Sequence, residues 1–295
     1  MIDYKSEYKV GGCLPQPKDK RDWKFGKYVK PLMAIRLPDN FESKIPNDFI
    51  YDQGKSSECC ACAYSSIRLI QEYSQSGLKE PLSPSFTYAN RQEGQYEGEG
   101  MMLRDACKQG KYGSILWSEF PNFYSYYEAK RIFNNNKEYY LNHAYPFRIN
   151  SFYTAHTDEE IMTAIYLTKA VLIGINVTEE FYYPNSQGII KYPKNFIMNS
   201  DGGHALAIIG WKTINNEKYW IVLNSWGKHW GDKGKCYIKF TDMKKVIMDD
   251  AYVLVDEINE IQIEKYKKLY NIVGNHNIIN TFKMRLKAFL NSFKY

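Results

Sequence analysis

The 295-residue sequence predicts an α+β fold of two lobes, a mainly helical left lobe and an antiparallel β right lobe, with a cleft between them. Three observations predict it. Helical spacing marks the first half, where Ala63, Ile67, Ile70 and Tyr73 recur at steps of three to four. Beyond Thr157 short apolar runs bounded by turn residues take over. Hydrophobic residues at 44% and charged residues at 24% are those of a globular chain with a sizeable core, and no apolar run reaches the length of a membrane span.

Four segments follow in order. Residues 1–45, rich in Pro, Lys and Asp around Pro15-Gln16-Pro17-Lys18-Asp19, read as an extended arm and a candidate pro-segment. Residues 46–150 form the helical lobe. The turn Tyr51-Asp52-Gln53-Gly54 leads into an amphipathic helix that Gly77 stops, and a further helix is expected around Leu103 to Lys108. Residues 151–255 form the β-rich lobe. Its helix opens with the capping box Thr157-x-x-Glu160, and strands are expected at Ala170–Val177, His204–Trp211, Tyr219–Leu223 and Cys236–Phe240. Asn215-Asn216-Glu217 turns the second of these strands into the third. Residues 256–295 read as a basic extension of two helices broken near Gly274, with Phe282, Leu286, Phe289, Leu290 and Phe293 on one face.

The charge points away from nucleic acid. From Lys265 onward there are seven Lys or Arg and no Asp or Glu; removing them from the +6 total leaves about −1 on the first 264 residues. A nucleic-acid-binding surface needs its basic residues on the body of the fold. The basic extension is expected to dock on that body, or else on a partner or a membrane surface. The first 30 residues lack the apolar core of a secretory signal, so an intracellular, cytoplasmic location is expected, or a virion-associated one if the chain is viral. Six cysteines, three of them crowded at 59, 60 and 62, suit reduced thiols better than a disulfide framework.

The chemistry starts at Cys59. It follows a turn and begins a helix, where free backbone N–H groups and the helix dipole favour a thiolate. Acyl transfer by a thiolate needs a group that both accepts and donates a proton, which an imidazole does. Of the five histidines, His204 alone follows a Gly pair and opens an apolar strand, while His143, His156 and His276 carry no readable signal and His229 is expected on a loop. Asn224 ends the next strand. In a hairpin its amide approaches the His204 ring and fixes its tautomer, with Trp226 covering the bond.

Gln53-Gly54-x-x-x-x-Cys59, Gly203-His204-Ala205 and Asn224-Ser-Trp-Gly-x-x-Trp-Gly-x-x-Gly234 together closely resemble the papain-like cysteine peptidases, from about Tyr51 to Phe240. The N-terminal pattern Pro15-x-x-x-Asp19-x-Arg21-Asp22 is similar to that of bacterial and viral members without a long helical propeptide. The resemblance implies the papain-like two-lobed fold and a thiol endopeptidase acting through a thioester on polypeptide substrates. It implies Cys59 as nucleophile, His204 as acid and base, Asn224 as the residue orienting it, and Gln53 as an oxyanion donor. Gly100, Met101, Gly203 and Trp226 are implied in substrate binding. A monomer is expected, and no cofactor or metal is implied.

The sequence departs from the family at three places: Cys60 stands where an aromatic residue is usual, Ser56 where a disulfide cysteine is, and Glu58 beside the nucleophile brings a charge that opposes thiolate formation if it points inward. Two alternatives therefore stay open, an impaired papain-like binding or regulatory protein, and a thiol-redox or zinc protein using Cys59-x-x-Cys62. A closed zinc site needs two further ligands at suitable spacing, and Cys107 and Cys236 are single. Cys60 and Cys62 are read as helix packing. Cys13 is read as an arm residue, with a disulfide to an active-site thiol left open.

Overall fold

A computed structural model describes residues 3–29, 36–91, 99–123 and 125–256. The arm carries α1 (Tyr4–Glu7), α2 (Phe25–Val29) and β1 (Phe41–Glu42). The helical half then runs through α3 (Cys59–Ser76), α4 (Pro84–Ala89), α5 (Leu103–Gln109), α6 (Tyr126–Asn135) and α7 (Lys137–Ala144). The second half runs β2 (Ser151–Ala155), α8 (Asp158–Thr168), β3 (Val171–Val177), α9 (Glu179–Tyr182), β4 (Gly202–Ile214), β5 (Glu217–Leu223), β6 (Lys235–Lys239), α10 (Phe240–Val246) and β7 (Ala251–Val255).

The strands join one seven-stranded antiparallel sheet in the order β2-β7-β3-β4-β5-β6, with β1 added beside β4. The α+β class and two-lobed plan read from the sequence hold, as do the helices expected before residue 256 and the four strands, to within a few residues. The arm differs: two short helices and a strand interrupt what the sequence reads as extended chain. Strands β2 and β7 also escape the sequence reading, because β2 is five residues long and pairs with a partner about 100 positions away. The basic extension lies outside the described residues beyond Asp256.

Helix α3 is the axis of the fold. It is buried without interruption from Cys59 to Glu72, so it is a central helix in which the amphipathic pattern read from its spacing leaves no exposed face over those residues. Its buried Arg68 is paired, to Gln71 at 2.8 Å, to Asp256 at 2.8 Å, and to Glu72. Gly77 ends the helix in the left-handed region at φ 80°. The capping box at the start of α8 forms in both directions, Thr157 to the Glu160 amide and Glu160 back to the Thr157 amide. One apolar cluster fills the β lobe around Trp211, Trp220, Trp226 and Trp230. A second joins α3 and α5 to β3, β4 and β7, and this one carries the cleft.

Candidate active site

Gln53-Gly54 turns the chain into α3. Gly54 has φ 52°, and its amide donates to the Asp52 carboxylate at 3.0 Å. Glu58 stands at the N-cap but makes no side-chain cap bond, so Cys59 opens the helix amid amides that no capping side chain occupies. Across the cleft His204 lies near the start of β4, in register with Ile175 of β3. Asn224 follows β5 directly and its backbone N–H donates to the Gly234 carbonyl at 2.9 Å. The hairpin therefore brings together two residues 20 positions apart: His204 Nε2 donates to Asn224 Oδ1 at 2.8 Å. The other ring nitrogen, Nδ1, has no nitrogen or oxygen partner and faces the Cys59 thiol.

Burial by itself pushes the Cys59 thiol up. Hydrogen bonds from Cys60 and His204, with the charge of the imidazole, outweigh it and hold the thiol well below its ordinary range. Aromatic rings close the bond between His204 and Asn224 from water. Trp226 lies 5.1 Å from the imidazole and Phe181 6.0 Å, centre to centre. Gln53 is held at both ends of its amide. Its oxygen accepts from Ser225 Oγ at 2.7 Å, and its Nε2 donates to the Ser56 carbonyl at 3.0 Å and to the Lys9 carbonyl at 3.3 Å.

Glu58 is buried, and it points into the helical lobe, where Ser85 Oγ donates to it at 3.1 Å and its other oxygen has no partner. Burial raises its carboxyl to about 7. Of the other thiols, Cys60 donates to the Met101 carbonyl at 3.1 Å and Cys62 is buried on α3.

The sequence missed the arm's course. Residues 9–14 run through the cleft, and Cys59 is 0% exposed beneath them. Gly11 and Cys13 donate to the Gly203 carbonyl at 2.9 and 3.2 Å, Leu14 donates to the Met101 carbonyl at 3.0 Å, and the Met101 amide donates to Gly12 at 2.8 Å. Leu14 packs on Gly100, where an added Cβ would stand 2.9 Å from it. Upstream, Tyr8 stacks on Trp226 at 5.0 Å and its hydroxyl donates to the Trp226 carbonyl at 2.9 Å. His229 Nε2 bonds the same hydroxyl at 2.9 Å, and its ring stacks on Tyr4. Downstream, Arg104 grips Asp22 and the Pro17 carbonyl. Gly100, Met101, Gly203 and Trp226 thus all touch the arm. The Gly11-Gly12 pair was the one sequence signal of a close approach; most of the arm's partners lie roughly 80 to 220 residues away.

The model of the family described as "Papain family cysteine protease" matches residues 52–255. A "Cysteine protease" of Blomia tropicalis is 25% identical over 217 residues, covering 69% of this chain and 61% of its own length. A "Gut-specific cysteine proteinase" of Caenorhabditis elegans is 35% identical over 88 residues, covering 30% of this chain and 26% of its own. The chain thus spans less than two thirds of these curated relatives. Xylellain, a cysteine protease from Xylella fastidiosa, has a similar fold, with a TM-score of 0.69 at 21% identity over 85% of this chain and 97% of that one. Procathepsin B from Trypanosoma congolense superposes with a TM-score of 0.62 at 18% identity, over 85% and 87% of the two chains. With the family match spanning more than half of its residues, the chain belongs to the papain family of cysteine proteases.

Proposed function

We propose that the chain is a cysteine endopeptidase whose N-terminal arm holds it closed. The observation that carries this is the Cys59, His204 and Asn224 arrangement: a lowered thiol facing Nδ1 of a ring whose Nε2 is anchored at 2.8 Å. Cys59 attacks the scissile carbonyl as a thiolate while His204 is protonated. His204 then gives its proton to the leaving amine, and afterwards takes one from the water that hydrolyses the thioester. Asn224 keeps the ring in the tautomer that presents Nδ1 to sulfur. Gln53 Nε2 and the Cys59 amide donate to the oxyanion. Gly100, Met101 and Gly203 lend backbone groups to the substrate chain, and Trp226 offers a face to residues beyond the cut.

The arm occupies these same groups. The Lys9 carbonyl takes the Gln53 donor, Gly12 lies over Cys59, and the Gly203 and Met101 carbonyls are already bonded. The arm and the Met101 segment pair in parallel, so the chain direction through the cleft is set by that pairing. We read residues 1–45 as a pro-segment accordingly.

The test is labelling with an epoxide inhibitor of cysteine proteases before and after limited proteolysis of the arm. Labelling at Cys59 is expected to be slow in the intact chain and fast after arm removal, with turnover of a peptide library appearing in step and absent from Cys59→Ala. Fast labelling without turnover of any library peptide would support the impaired, regulatory alternative instead.

A further inference from the structure

All six cysteines are free and buried, yet three of them converge on one point although Cys13 lies 46 positions before Cys59. Cys13, Cys59 and Cys60 share the apolar cluster of the cleft, at 2%, 0% and 0% exposure. The Met101 carbonyl ties them together. It accepts from the Cys60 thiol at 3.1 Å and from the amide of Leu14, next to Cys13, at 3.0 Å. The Cys13 sulfur itself is seated in the floor of the cleft, where an added Cβ on Gly174 would stand 3.0 Å from it. Cys13 pairs in parallel with Met101, the residue whose carbonyl the Cys60 thiol bonds, and burial together with the neighbouring Cys13 and Cys59 sulfurs pushes the Cys60 thiol well above its ordinary range.

We propose that Cys13 and Cys60 form a disulfide when a low-molecular-weight disulfide is in excess over its thiol, bolting the arm across Cys59 so that opening the site requires a thiol reductant. This rests on the arm being the inhibitor of a peptidase site. Cys13 is the entry point because it belongs to the arm and comes free whenever the arm lifts. Its thiolate attacks one sulfur of the small disulfide R–S–S–R, forming Cys13–S–S–R and releasing R–S⁻, which takes up the proton that Cys13 gave up. When the arm reseats, the Cys60 sulfur attacks the Cys13 sulfur, the Cys13–S–R bond breaks, and a second R–S⁻ leaves. The Cys60 proton passes to that departing R–S⁻, which leaves as the second small thiol. Two protein thiols are oxidised and one small disulfide is reduced to two thiols. Cys59 and Cys60 are consecutive on one helix, a spacing that suits no ordinary disulfide, so Cys13 is the partner Cys60 can take without distorting α3.

The experiment equilibrates the full chain, and separately Cys59→Ala and Cys13→Ser, in glutathione buffers graded from reduced to oxidised. Digestion without reductant and mass spectrometry then map every thiol. A peptide linking Cys13 to Cys60 is expected in the unmodified chain and in Cys59→Ala, in more than half of the molecules at the oxidised end, and to vanish with dithiothreitol and in Cys13→Ser. Because Cys59→Ala needs no peptidase activity to give this result, a failure of the link is separable from a failure of the peptidase assignment. Cys13 found only as free thiol or as its glutathione adduct, or linked to Cys59 instead, overturns the proposal.

Discussion

The two walls of the cleft hold their reactive groups by different means. On the β wall the His204 ring is fixed by Asn224 at 2.8 Å and covered by Trp226 and Phe181, while Asn224 is anchored through Gly234 and Ser225. On the helical wall Cys59 opens a helix whose cap residue, Glu58, is a buried carboxyl facing a hydroxyl and no cation. The β wall orients by enclosure. The helical wall tunes charge with helix amides that no side chain caps, beside a buried acid of which one oxygen has no partner. A rigid imidazole and an electrostatically poised thiol are different problems, and the two secondary structures solve one each.

The largest test of the comparison is removal of the oriented base. His204→Ala, measured on chain whose arm has been removed, is expected to lower kcat roughly 10⁴-fold or more. A loss below about 100-fold would mean that the β wall is not what supplies the proton. Next comes Gln53→Ala, which strips an oxyanion donor from the helical wall and should lower kcat by roughly 10²–10³ with KM little changed. An effect on KM alone would reassign Gln53 to ground-state binding.

Gly12→Ala tests the arm between the walls. A Cβ at Gly12 would stand 2.5 Å from the Ser57 carbonyl, a backbone atom that cannot swing aside. Overpacking of this kind costs about 1–3 kcal/mol, so the ratio of closed to open form falls roughly 5- to 160-fold. Turnover by the intact chain should rise by that factor, and epoxide labelling of Cys59 should accelerate with it. An unchanged labelling rate would remove the arm from the inhibitory role.

The smallest effect is the most diagnostic for the helical wall. The Glu58 carboxyl is raised to about 7 from an ordinary 4.5, so the folded state holds its proton more tightly than the unfolded state does. Stability is therefore full below about 4.5 and falls as pH rises through about 7, by of the order of 3 kcal/mol at most. Glu58→Gln, neutral at every pH, should match the parent near pH 4.5 and melt several degrees higher at pH 8. Equal melting temperatures at both pH values would mean that Glu58 finds a compensating partner once ionised.

Much of the site was legible because its chemistry is written in short spans. Gln53 to Cys59 is one turn and a helix start, and Asn224 to Gly234 is one loop, so spacing along the chain stands in for spacing in the molecule. His204 needed only its Gly pair and the strand after it. The arm was not legible for the opposite reason. Lys9 to Leu14 has neither helical nor strand periodicity, and its partners Gly203, Met101 and Trp226 are remote in sequence. Strand β7 failed likewise, since pairing with Ser151–Ala155 is a fact about topology that local propensity does not hold. The sequence places His229 on a loop and does not mark Tyr8, and only the fold stacks their rings.

The cleft segment Lys9 to Leu14 is joined along the arm to β1, which pairs with β4, and on the proposed reading of the arm as inhibitor that joint is a tether. A tethered occupant competes at an effective concentration of millimolar order, whatever the dilution of the protein, and micromolar peptide cannot displace it. One backbone cut between the cleft segment and β1 turns the same contacts into a bimolecular complex that dilution dissolves. Activation by such a cut needs no unfolding and no lost contact: it changes the concentration scale on which the contacts are judged.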